Sequence, residues 1–412
     1  MTAFIRRWGL ILLALAAARP AAGQSYVAFE DDWRRIVESL RFSLGPVKID
    51  PVFSLRRVGY DTNIFYEDRD VGDYTGVASL DVTAYLPVRR SLILFVREIP
   101  EYNFYLHEKE MRAFTNSYAA GLKYLLLNRF VLTGAYQSNE YQGPATVELG
   151  RPTRDMSRIF SAGFYYETAR KTSIGLSLQS QKMSYEDAPT ADGTIPLSQT
   201  LDREERSGAL EIYYRVFSDS MAFLRGGVTT YTFANEAGAS RDSTSYQGAA
   251  GIRFPQLGPL RGLLSIGYKE LVPRSAGLAR YAGVTANTEL EGRFGWFNLR
   301  GIYQRDISFS YYEDAFAFLA NRYAAGVSVY PLRALRLDYT YDVTLQDYPD
   351  VWSLVPTPHR RDTQTLHTVG LVVRLFRTTG FGVTANLSDW TSTVAGFNRK
   401  RSYIAAYVTQ TF

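Results

Sequence analysis

The side chains able to do chemistry are few in this chain. Its 412 residues include no cysteine, which puts disulfides, thiolate metal sites and thiol nucleophiles out of reach. Three histidines occur, His107, His359 and His367. Nucleophilic and acid–base catalysis need a base beside a nucleophile, or paired carboxylates. None of the three histidines has a Ser, Asp or Asn constellation in its local sequence. There is no G-x-S-x-G, H-E-x-x-H or phosphate-cradling loop. Asp338 and Asp342 share a strand face four residues apart. That is roughly 13 Å at strand rise, too far for paired-carboxylate work. No enzyme, cofactor or metal site is expected.

Charge has to be read with the N-terminus in mind. Lys and Arg number 46 against 41 Asp and Glu, a formal net charge of +5. Residues 1–23 read as a secretory signal peptide: Arg6 and Arg7, the apolar stretch Trp8 to Ala18, and small residues Ala21 and Gly23 before a cut at Gln24. That apolar stretch is too short to span a bilayer of roughly 30 Å. Removing residues 1–23 takes away Arg6, Arg7 and Arg19 and no acid, leaving +2. So slight an excess does not point to a nucleic-acid partner.

The elements that position the polar side chains are strands. Residues 29–41 are the single helical candidate, with Phe29, Trp33, Ile36, Val37 and Leu40 at 3.6-like spacing. They predict a short periplasmic helix within an N-terminal segment, residues 24–45, with a helix that plugs the lumen as the alternative. From residue 46 to 412 the dominant period is two. Ala78, Leu80, Val82, Ala84 and Leu86 alternate with Ser79, Asp81, Thr83 and Tyr85. Leu335, Leu337, Tyr339, Tyr341 and Val343 alternate with Arg336, Asp338, Thr340 and Asp342. Such rows mark strands with one apolar and one wet face. Eight short connections alternate with nine longer polar ones, so about eighteen strands are expected. The predicted fold is all-β, a transmembrane antiparallel up-and-down β-barrel in the cell outer membrane with both termini periplasmic. Outer-membrane lipids are then an obligatory partner. A soluble sandwich or propeller also alternates, but its connections do not segregate by length, and no blade-length repeat is present.

The chain stops on an alternating segment. Ile404, Ala406, Val408 and Phe412 share a face, interrupted by Gln410. This resembles the C-terminal signal of bacterial outer-membrane proteins, which implies the barrel-assembly machinery as a partner and Phe412 as the assembly signal. Assigning the wet face strand by strand gives ten basic residues: Lys123, Arg215, Arg225, Arg253, Arg261, Lys269, Arg293, Arg300, Arg336 and Arg374. The acids are Asp81, Glu211, Glu289, Glu291, Asp338 and Asp342. The pore-lining candidates are Arg225, Arg253, Arg261, Arg300, Arg336, Asp338 and Arg374. Most such charges should pair across strands and brace the wall. The remainder predicts a weak preference for anions.

Near the first strand stands Gly59-Tyr60-Asp61-Thr62-Asn63-Ile64-Phe65. It resembles the G-Y-D-[ST]-N-[IV] segment of the putative β-barrel porin 2 family, which includes outer-membrane barrels encoded with exopolysaccharide machinery. The resemblance implies export of an exopolysaccharide or other polar polymer, with periplasmic polysaccharide-export proteins as partners. The alternative is a general or weakly anion-selective diffusion porin for small solutes. On turn chemistry alone, Asp61 and Asn63 would simply shape the first loop.

Overall fold

Strands with one apolar face and unpaired edges are stable in a bilayer only if the sheet closes on itself. In the computed structural model the chain does this with eighteen antiparallel strands. The structure describes residues 26–66, 70–144, 152–168, 171–190, 193–217, 220–234, 241–275, 280–310, 316–348, 360–376, 378–394 and 397–411. Residues 1–23 and Phe412 lie outside the described residues.

The first six barrel strands are β1 (Val47–Asp61), β2 (Asp73–Val88), β3 (Leu92–Tyr105), β4 (Ala113–Leu126), β5 (Phe130–Pro144) and β6 (Pro152–Glu167). The next six are β7 (Thr172–Tyr185), β8 (Arg203–Phe217), β9 (Ser220–Phe233), β10 (Ser243–Leu257), β11 (Leu260–Pro273) and β12 (Tyr281–Phe294). The last six are β13 (Phe297–Phe309), β14 (Ala317–Leu332), β15 (Leu335–Tyr348), β16 (Arg360–Arg374), β17 (Thr379–Ser392) and β18 (Arg399–Thr411). Each pairs with its neighbours in sequence, and β1 pairs with β18 from Val52↔Thr411 to Asp61↔Tyr403. Short turns gather at one end and the longer connections at the other, as the alternation of connection lengths predicts.

The two faces of the wall differ in what they touch. Val96, Phe160, Leu224, Ile266 and Ile404 project outward and are exposed. Alternating residues project inward into a charged and hydrogen-bonded lumen. Large apolar side chains exposed in a continuous outer belt fit a lipid environment. Among the described residues no helix is long and apolar enough to cross a membrane.

The N-terminal helix differs from its predicted bounds, and of its two expected places it takes the one in the lumen. Helix α1 spans Tyr26–Arg34 and continues as one wider turn, Arg35–Ser39. It does not stand free ahead of the barrel but sits inside its short-turn mouth. Phe29 and Ile36 are fully buried in one cluster with the inward-facing Ile93, Leu125, Val131, Tyr165, Tyr213 and Phe223. Exposed in water, these two side chains would forfeit about 1.5–3 kcal/mol each. The mouth supplies the apolar surface that an isolated short helix lacks. After the helix, Phe42–Leu44 folds back along the start of β1, around Gly45 at φ +59°, a conformation that suits glycine.

Candidate functional site

The lumen is the candidate site, and it has three parts. At the short-turn mouth, α1 is fastened to the wall. Asp32 pairs with Lys123 of β4. Arg35 donates to the Tyr85 hydroxyl at 3.2 Å and lies 3.6 Å from Asp50 of β1. Arg90, in the first short turn, reaches Glu30 at 3.4 Å. Arg90 is 71% exposed, so that last pair adds little. The apolar contacts of Phe29 and Ile36 dominate the docking.

From the short-turn end to the loop end the wall is also cross-braced. Glu211 of β8 stands opposite Arg225 of β9, with 3.4 Å between them. The Tyr213 hydroxyl also donates to Glu211 at 2.5 Å. Glu291 of β12 stands opposite Arg261 of β11 and is bonded to it. Arg300 of β13 pairs with Glu289 at 2.8 Å. Asp338 of β15 takes Arg336 Nε at 2.8 Å and Ser328 Oγ at 2.6 Å. Arg322 of β14 holds Asp342, and Lys269 of β11 holds Asp306 at 2.9 Å. Opposed charges at cross-strand positions stabilise the pairing they span.

Two pore-lining candidates stand apart. Arg374 ends β16 at the short-turn mouth, and its side chain is engaged. Arg253 of β10 has no ion pair among the described residues. It lies in the field of Tyr165 and Tyr213, beside the cluster that receives α1. Sequence reading missed a further lumen arginine. β1 slips register between Arg56 and Gly59, and the bulge residue Arg57 takes φ 54°. Arg57 is turned among Tyr105, Tyr141 and Tyr403. A bulge inverts the alternation, so period-two reading could not place it. Arg322 was also missed, although the alternation of β14 puts it on the wet row with Ala324, Gly326 and Ser328.

At the loop end, connections fold inward. The 186–202 connection carries helix α2 (Leu197–Leu201), whose Leu197 and Leu201 are buried. Arg360 is fully buried; its Nε lies 3.0 Å from each Asp362 oxygen, and its guanidinium covers the rings of Tyr348 and Phe397. Arg241 donates to the carbonyl of Ser310 at 2.5 Å.

The Gly59–Asn63 segment sits on the barrel's closing seam. Arg401 Nε of β18 lies 2.9 Å from both oxygens of Asp61. Thr62 N donates to Ser402 O at 2.9 Å, and Ser402 N returns a bond to Thr62 Oγ at 2.8 Å. Asn63 N caps back onto Asp61 Oδ1 at 3.1 Å. Its amide nitrogen reaches Lys400 O at 3.1 Å and Asp70 at 2.8 Å. Tyr60 faces out and meets Tyr74, ring centres 5.0 Å apart. The segment therefore ties the first strand to the last as well as shaping the first loop. His367, on the outer face of β16, bonds the Tyr339 hydroxyl at 3.0 Å and pairs with no carboxylate among the described residues. Among the described residues no group of His, Asp and Glu could hold a metal ion.

No curated protein matches the chain in a direct comparison. Solved structures do. Pseudomonas aeruginosa OccK2 (OpdF), solved in complex with glucuronate, aligns with a TM-score of 0.53 at 12% identity, covering 90% of this chain and 100% of that one. Pseudomonas aeruginosa OpdO gives 0.52 at 12% identity, covering 88% and 97%. Acinetobacter baumannii OccAB3 gives 0.51 at 11% identity, covering 88% and 98%. At these identities the likeness is one of fold, a closed antiparallel β-barrel. The family profile described as Putative beta-barrel porin 2 matches residues 135–412, downstream of the Gly59–Asn63 segment. With two thirds of its length under that match and an eighteen-strand closed barrel around a polar lumen, the chain belongs to the putative β-barrel porin 2 family.

Proposed function

We propose that this porin-like barrel is a passive channel for small polar solutes with a weak preference for anions, its short-turn mouth periplasmic and narrowed by α1. The carrying observation is the residual charge of the lumen. Among the described residues the wall's carboxylates are held by arginines and lysines nearly throughout, Asp155 of β6 being an exception, while α1 adds Asp31 and Glu38 against Arg34, all three without an ion pair. Arg57, Arg253 and Arg293 carry no ion pair among the described residues. A surplus cation in a water-filled passage raises the local concentration of anions. The solved relative with glucuronate bound, an anionic sugar acid, supports the same class of solute. A polymer conduit, the role implied by the Gly59–Phe65 resemblance, accords less well with a mouth filled by a helix and a wall braced by short cross-strand pairs.

Reversal potentials in planar bilayers under a salt gradient test the reading. The native channel should pass anions over cations by a small factor. Arg253→Gln and Arg57→Gln should each lower that ratio by about twofold, since one charge at roughly 8 Å through water contributes about 0.5 kcal/mol. Clear cation selectivity in the native channel would overturn the assignment. Loss of surface polysaccharide on gene deletion, with no conductance from the purified barrel, would favour the export reading.

A further inference from the structure

Outward side chains on β5 to β8 change character along each strand. Near the short turns the outer row of β6 is Tyr166, Phe164, Ala162 and Phe160, and then it turns to Arg158. On β7, Leu176 and Leu178 give way to Lys182. Phe160 is 61% exposed and Leu178 53%, as lipid-facing residues are. Arg158 lies nine residues from the end of β6 at Glu167. With a tilt near 40° that is roughly 23 Å above the short-turn end. The apolar band of such barrels is about 25 Å tall, so Arg158 marks its far edge.

At that edge two cations face each other. Arg158 and Lys182 are direct register partners across β6 and β7, with Cα atoms on the order of 5 Å apart. Like charges directly opposite are unfavourable. Neither makes an ion pair or side-chain hydrogen bond with a described residue. The flanking acids are already engaged. Glu204, opposite Lys182, accepts Arg206 at 2.7 and 3.1 Å and Ser180 Oγ at 3.2 Å. Glu140 of β5 is held by Arg154. The face thus pairs its carboxylates and leaves two adjacent cations beside an exposed apolar belt.

We infer that Arg158 and Lys182 clamp a phosphate of an outer-leaflet glycolipid whose acyl chains lie on Phe160, Leu176 and Leu178. A doubly charged anion removes the like-charge penalty and satisfies both donors. Its tails cover the apolar belt below. The cross-strand fit of two cations to one phosphate distinguishes the site from a general basic rim. It rests on the outer-membrane reading with the long connections outside the cell.

Full-length protein in bilayer nanodiscs, offered equal amounts of bisphosphorylated lipid A and its enzymatically dephosphorylated form, tests the clamp by native mass spectrometry of retained lipid. The native barrel should enrich the phosphorylated form about tenfold. R158Q/K182Q should lose that enrichment, keep heat-modifiable migration and keep its conductance. R305Q, altering an outward arginine bonded to Asn321 on the far side of the rim, should behave as native. Equal retention by native and R158Q/K182Q, or no phosphate preference, would overturn the clamp. So would a native dimer that R158Q/K182Q dissolves, which would make the occupant a second copy. Protease access to a tag in the 186–202 connection on intact cells checks orientation separately.

Discussion

Gly59→Ala should abolish barrel closure, with little heat-modifiable or protease-resistant protein in the outer membrane. A Cβ at position 59 would stand 1.9 Å from Ile404 O, 2.6 Å from Ala405 Cα and 2.8 Å from Ile404 C. All three are backbone atoms of β18, so no rotamer change relieves the overlap. The strands must separate where Gly59 pairs with Ala405, and the neighbouring seam bonds of Thr62 and Ser402 go with them. A loss above about 4 kcal/mol is expected, the range reserved for a short set of severe mechanisms. Asp61→Ala should act in the same direction but less strongly. It removes the charge-assisted link to Arg401, worth about 1.5–3 kcal/mol, and the cap on Asn63. Gly226→Ala is the control, because a Cβ there meets nothing within 4 Å. Normal assembly of Gly59→Ala would show that the seam tolerates a wider spacing and that this glycine is dispensable.

That seam also shows where sequence reading stops. Asp61 and Asn63 were legible as turn formers, because their chemistry is local. Their partners Lys400, Arg401 and Ser402 lie some 340 positions away, and nothing local links the two ends. The strand count was legible for the opposite reason. Alternation and connection length are both local, and closure then follows from the need to satisfy every edge. The helix falls between these cases. Phe29 and Ile36 marked an apolar face on a predicted helix, but the surface that receives it is shared among strands far apart in the chain. A signal was present: Ile93, Leu125 and Val131 are apolar on the wet row, each close to a short turn. Inward apolar residues concentrated at one end of a water-filled barrel call for something to cover them. The lumen charges were legible wherever period two held, and Arg57 was lost where a bulge broke it.

Deleting residues 26–41 should let the reconstituted channel admit solutes roughly twice as wide as the native one passes. Eighteen strands at about 4.8 Å spacing and a tilt near 40° close into a ring roughly 36 Å across the backbone. Side chains of about 6 Å on each wall leave roughly 24 Å, an aqueous passage of the kind expected for this strand number. A helix with its side chains is about 10–12 Å thick. Seated against one wall on Ile93, Leu125 and Val131, it reduces the widest free gap to roughly half. Liposome swelling with polyethylene glycols of graded size reads this directly, with the step near a hydrodynamic diameter of about 12–14 Å. Phe29→Ala/Ile36→Ala keeps the chain but weakens its seat, because each truncation of a fully buried side chain costs about 2–5 kcal/mol. A combined loss near 5 kcal/mol shifts a two-state equilibrium by about four powers of ten. The substituted channel should then flicker between the native and the deleted conductance in single-channel records. The salt links of α1 cannot hold it alone, since exposed pairs such as Arg90–Glu30 contribute under about 1 kcal/mol. An unchanged size limit in the deletion would place the constriction at the loop end, where the 186–202 connection and the Arg360–Asp362 pair fold inward, and α1 would then be an anchor for the first strand rather than a size gate.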